Sequence, residues 1–110
     1  MPVKTFELCG DSITRTEYED CLEKAGNESE RALEAHLQAS LERLRKNFTN
    51  KDVSNFQTTQ KKWLAYRKSE CNAEEDLYGK GTDAVAVGLK CLVDMTNKRN
   101  NELHLVYDRK

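Results

Sequence analysis

Proline is almost missing from this sequence: one residue, Pro2, in 110. A chain free of proline beyond its second position runs long helices without interruption. Strand patterning is missing as well, because no window alternates β-branched or aromatic residues with polar ones. No apolar run approaches the ~18 residues that would span a bilayer, which excludes a membrane span in this chain. The opening residues, Met1 to Phe6, lack the apolar centre of an export signal. An excess of one charge is also absent. The 18 basic and 19 acidic residues leave a net charge of −1, so no global field draws in nucleic acid or an anionic membrane. Internal repeats and low-complexity tracts are not seen.

The motifs of common chemistries are absent too. There is no phosphate-binding glycine loop, no nucleophile elbow and no His-Glu-x-x-His. His36 and His104 stand far apart in sequence, and His36 sits one residue before the apolar position Leu37. Lone histidines of this kind are usually structural or solvated. A zinc site needs clustered ligands, usually with a Cys-x₂₋₄-Cys pair, and none occurs. The reading is therefore of a chain that binds a partner and performs no catalysis, with no cofactor and no metal. The short basic run Arg43-Leu44-Arg45-Lys46 is offset by Glu42 and reads as a solvated face.

What is present is one helical domain over 1–110, with residues 1–10 as an extended arm. Hydrophobic residues make up 37% and charged residues 34%, so the core is modest and the chain gains from covalent staples. Asp11 or Ser12 can cap a first short helix that ends near Gly26-Asn27. Ser29 starts a second, with the stripe Leu33, Leu37, Leu41, Leu44 and Phe48 at helical spacing. A third helix is expected over about 54–78, with the stripe Phe56, Gln60, Trp63, Arg67, Cys71, Glu74 and Tyr78. After the turn Gly79-Lys80-Gly81-Thr82-Asp83, a fourth reaches about Tyr107. Its inner face is read as Val85, Leu89, Leu92, Thr96, Arg99, Leu103 and Val106. The architecture is all-α: an up-and-down bundle of three long helices and a short leading one.

Four cysteines, Cys9, Cys21, Cys71 and Cys91, allow three pairings. Cys71 lies ten residues before Gly81 and Cys91 ten after it. In an antiparallel hairpin about that turn, both sit at the same height, within reach of disulfide geometry. Cys9–Cys21 then pins the arm to the first helix. Two such bridges place the chain in an oxidising compartment, and they favour reading Met1 as the start of a mature form without its export signal. Gln60, Arg67, Glu74, Thr96 and Arg99 fall on inward faces. Buried charge must be paired, so Arg67 needs a carboxylate, with Glu70, Glu74 and Glu102 the candidates by spacing. These five are read as a structural polar network that fixes helix register. Trp63 reads as core, while Tyr66 sits off the stripe centre and is a candidate contact.

One combination of residues goes further. Gln60-x-x-Trp63-x-x-Tyr66-Arg67-x-x-x-Cys71 precedes the turn Gly79-x-Gly81-Thr82. Cys91-Leu92-x-x-x-Thr96-x-x-Arg99-x-x-x-Leu103 follows, and Cys9 and Thr16-Glu17-x-x-x-Cys21 stand upstream. Over about residues 9–107 this resembles the LprI-type lysozyme inhibitor domain of secreted or envelope-anchored bacterial proteins. The resemblance implies a helical domain exported to the periplasm or beyond, with four disulfide-forming cysteines and a protein partner: a lysozyme-like muramidase or other cell-wall hydrolase, blocked by binding. It also accommodates an immunity protein against a cell-wall-degrading toxin. A structural or adaptor protein of the envelope is the alternative. The chain departs from the family pattern at Arg67-Lys68, where Arg-Asp is usual, at the turn, where Gly-Gly-Ser is usual, and in lacking the export signal. The partner-binding residues expected are Gly79, Lys80, Gly81, Thr82, Asp83 and Tyr66.

Overall fold

In a computed structural model, residues 9–10, 14–79, 81 and 83–109 are described. Among them are three long helices and no strand: α1 (Arg15–Asn47), α2 (Asn50–Asp76) and α3 (Ala84–Glu102), the last running directly into a π-helical turn at Leu103–Tyr107. The all-helical reading with two disulfides holds. The arm before Cys9, the caps Asp11 and Ser12, and the loop positions Lys80 and Thr82 lie outside the described residues.

The helix starts follow from local chemistry. Thr14 caps α1 by accepting the Glu17 amide at 3.1 Å, with the Glu17 carboxylate in the positive first turn. Thr49 and Asp52 form a reciprocal capping box at the head of α2. That box places the start of α2 four residues earlier than the expected Ser54. Between the helices only Phe48 and Thr49 remain, so the chain reverses tightly. Phe48, expected on the inner stripe, is half exposed there under the Arg43 guanidinium, 5.2 Å from its ring centre.

The break expected at Gly26-Asn27 does not occur; α1 is continuous through both. Glycine and asparagine cost a helix about 0.5–1 kcal/mol each, and tertiary contacts offset this. A Cβ on Gly26 would sit 3.4 Å from Val93 on α3, so the site lies at a close helix crossing. Ser29 is no cap. It is buried, with its hydroxyl donating to Asn97 at 2.6 Å and its carbonyl accepting from Asn100 at 3.1 Å.

Helix α3 lies between the other two, and α1 and α2 meet each other only slightly. The molecule is accordingly one layer of helices, 49 × 26 × 15 Å. A helix with two neighbours buries two sides, and this moves the inner face of α3. Ala84, Ala86, Gly88, Cys91 and Val93 are buried, whereas Val85, Leu92 and Val106, expected inside, are exposed. Small residues let both neighbours approach: Ala86 packs with Leu22 of α1, and a Cβ on Gly88 would meet the Glu75 carboxylate of α2 at 2.6 Å.

Among the described residues the apolar core falls into two clusters. One gathers Leu33, Leu44, Phe56 and Leu103, with Leu37, Leu41, Val53, Trp63 and Tyr107 against it. The other gathers Cys9, Leu22 and Ala86, with Tyr18, Cys21 and Leu89. Among the described residues the second is the smaller, and both disulfides lie in that half: Cys9–Cys21 with Cα atoms 5.7 Å apart, and Cys71–Cys91 at 5.4 Å. Covalent closure stands where hydrophobic burial among the described residues is thinner.

Candidate functional site

The polar stripe residues lie between the two clusters. Arg67 on α2 donates to Thr96 Oγ1 at 2.8 Å and pairs with Glu30 of α1, its guanidinium lying 5.0 Å from the Trp63 ring centre. Thr96 passes its own hydrogen to the Leu92 carbonyl at 2.7 Å. Arg99 donates through Nε to Gln60 Oε1 at 3.0 Å, approaches Glu102 at 3.6 Å and faces the Tyr107 ring. Four of the five expected members are thus joined across helices. The counter-charge of Arg67 comes from Glu30, which no spacing within α2 or α3 reveals. Glu74 stands elsewhere, 3.5 Å from Cys91 Sγ. The neighbouring Glu70 carboxyl raises its pKa by a hydrogen bond, and partial burial adds to the rise. Three buried atoms, Gln60 Nε2, Arg99 Nη2 and Asn100 Oδ1, have no hydrogen-bond partner.

At the end of the α2–α3 hairpin the chain is wound tightly. The amides of Tyr78, Gly79 and Gly81 donate to the carbonyls of Glu75, Asp76 and Tyr78 at 3.0–3.1 Å, and Ala84 donates to Gly81 at 3.2 Å. Gly79 takes φ 57°, a conformation that glycine alone adopts cheaply. Leu77 leaves the last turn of α2 with 82% of its surface in solvent, and Tyr78 is half exposed. An apolar side chain displayed this fully on a hydrogen-bonded turn has no role in the core. The Cys71–Cys91 bridge lies six residues below Leu77, about 9 Å at ~1.5 Å per residue.

Below the tip, one face of the hairpin forms a groove of about 440 Å³ lined by Leu64, Cys71, Glu75, Val85, Gly88 and Leu92 among others. It exists because α3 turns its small residues inward and its larger ones outward. Glu70, Glu74, Glu75, Asp76 and Asp83 outnumber Lys80 and Lys90 over this end of the hairpin and give it a net acidic cast. The turn residues Gly79, Gly81 and Asp83 are exposed together here. Tyr66 is exposed as well, but it lies eleven residues before Leu77, roughly 16 Å down α2, and is not part of the tip. Leu77 and the groove were missed in the sequence, and Val85, expected on the inner face of α3, lines the groove instead. A large apolar residue at the last turn of a helix, next to glycine, is the signal that marks Leu77.

At the opposite end, the fold unites residues that the sequence holds far apart. His36 of α1 and His104 of the π-helical turn have ring centres 5.9 Å apart, and both face Asp108.

The family model described as "Lysozyme inhibitor LprI" matches residues 9–103. No curated protein and no solved structure matches significantly.

Proposed function

We propose that this chain, which belongs to the LprI lysozyme inhibitor family, binds and blocks a lysozyme-like peptidoglycan hydrolase outside the cytosol. The family description supplies the inhibitory role and the class of partner. The observation that carries the contact surface is the hairpin tip, where Leu77 and Tyr78 stand in solvent on a turn braced by the Cys71–Cys91 bridge. A pre-shaped projection loses little conformational freedom on binding, and one aromatic or aliphatic anchor entering a cleft can dominate an interface. Leu77 is that anchor, with Tyr78 next to it and Gly79, Gly81 and Asp83 exposed at the same end of the hairpin. The acidic end of the hairpin suits a cationic rim on the hydrolase. Two disulfides fit a compartment where thiols oxidise, which supports a periplasmic or secreted site of action.

The test is residual muramidase activity with the purified, oxidised protein in excess over a panel of lysozyme-type hydrolases. Inhibition of at least one is expected. Leu77→Asp should raise the inhibition constant by roughly 30-fold or more, the equivalent of ~2 kcal/mol at a hot spot, with the circular dichroism spectrum unchanged. No inhibition across the panel removes the function. Inhibition that Leu77→Asp and Tyr78→Ala leave untouched removes the tip as the contact.

A further inference from the structure

We infer that His36, His104 and Asp108 form a binding site for a divalent transition-metal ion, Zn²⁺ by the chemistry of the donors. His36 Nδ1 lies 2.5 Å from Asp108 Oδ2, and His104 Nδ1 lies 3.1 Å from Asp108 Oδ1. One ligand atom from each of the three residues lies within 4.8 Å of the other two. Tetrahedral ligands at Zn–N and Zn–O distances of about 2.0–2.2 Å stand roughly 3.3–3.5 Å apart. The 2.5 and 3.1 Å approaches are shorter than this, and every pair in the set lies within 4.8 Å, so a sub-ångström opening of both carboxylate approaches, with the imidazoles adjusting to match, admits the ion. Two imidazoles and a carboxylate are borderline donors that favour zinc, copper or nickel over magnesium or calcium.

The backbone around the cluster is held in place. The Ser40 hydroxyl donates to the His36 carbonyl at 2.6 Å, and Arg43 donates to the Tyr107 carbonyl at 3.0 Å. The π-helical turn matters most. The Asp108 amide donates to the Leu103 carbonyl at 2.8 Å, a five-residue step in place of four. The inserted residue re-aims the end of the chain so that Asp108 turns towards α1, as π-turns commonly do at functional sites. The Asp108 side chain is 6% exposed and each of its oxygens meets one imidazole, while the His104 side chain is 66% exposed. The metal therefore binds at the rim, with three protein donors and an open fourth position on the solvent side for water or a donor from another molecule. Arg43, Lys46 and Arg109 lie near Asp108 and oppose a cation. The Arg43 guanidinium is engaged with main-chain carbonyls, and the carboxylate offsets part of the remaining charge. The site is some twenty residues along α3 from the hairpin tip, about 30 Å, so it is separable from the proposed inhibitory contact.

The experiment uses the oxidised full chain, free of any affinity tag and stripped with a chelator. Zn²⁺ is titrated by calorimetry, and Co²⁺ by absorbance to read coordination geometry. One ion per chain is expected, with the intense visible band of four-coordinate Co²⁺ and a melting temperature that rises with Zn²⁺ and falls back on chelation. His104→Ala, at an exposed position that the fold does not need, should weaken Zn²⁺ binding by tenfold or more, and His36→Ala and Asp108→Asn likewise. Absence of saturable binding, or equal affinity in His104→Ala and the parent chain, overturns the site.

Discussion

The Cys71–Cys91 bridge offers the sharpest test of how this thin molecule is held together. It closes a loop with a sequence separation of 20. The chain-entropy relation, about 2.1 + 1.5R ln n cal/mol/K, gives ~11 cal/mol/K, or ~3.3 kcal/mol at 25 °C. Unfolding of 110 residues at ~2.1 cal/mol/K each has an entropy near 230 cal/mol/K. The paired substitution Cys71→Ala with Cys91→Ala should therefore lower Tm by about 14 °C. Stability for a domain of this size is of the order of 5–15 kcal/mol, so the loss is a large fraction of the whole. Both cysteines are buried, and alanine keeps their Cβ atoms, so lost packing adds to the fall. Thermal unfolding followed by circular dichroism at 222 nm, without reductant, measures it. Parent and variant should converge when reductant is added to both at equal Cys9–Cys21 status. A fall smaller than about 4 °C would refute the view that covalent closure substitutes for hydrophobic burial in this half.

Three further outcomes follow from named contacts. Gln60→Leu should cost roughly 1–3 kcal/mol in chemical denaturation, because it strips the acceptor from the buried Arg99 Nε; adding Arg99→Met should recover much of it, since an apolar replacement leaves no buried charge unpaired. Thr49→Ala removes one half of the α2 capping box and should cost about 1 kcal/mol by the same assay. Glu74 has a raised pKa in the folded state. Its stabilising contribution is therefore complete below the ordinary value of 4.5 and is lost as pH rises through the elevated value; Glu74→Gln should flatten that part of the pH–stability profile, and an unchanged profile would contradict the Glu70–Glu74 hydrogen bond.

Periodicity recorded the long helices well because each is a repeat along a single element. Leu33 and Leu44 on α1 and Phe56 and Cys71 on α2 lie inside as their spacing implies. The pairing of Cys71 with Cys91 followed from equal distances to one turn. What escaped depends on relations between elements. Gly26 reads as a stop until Val93 is placed against it. The inner face of α3 was drawn for one neighbour, and two neighbours turn it towards alanine and glycine. Glu30 could not be matched to Arg67 from within the hairpin, since it arrives from α1. His36 and His104, 68 positions apart, acquire meaning only once the π-helical turn brings Asp108 between them.

The slight contact between α1 and α2 bears on how the chain reaches its native form. With the third helix still unmade, the leucines of α1 and Phe56 have little to close around. A nascent chain stopped before Ala84 lacks the element that both outer helices pack upon. Cooperative collapse then awaits the final quarter of the sequence, and until it arrives the two outer helices have no common surface to settle on.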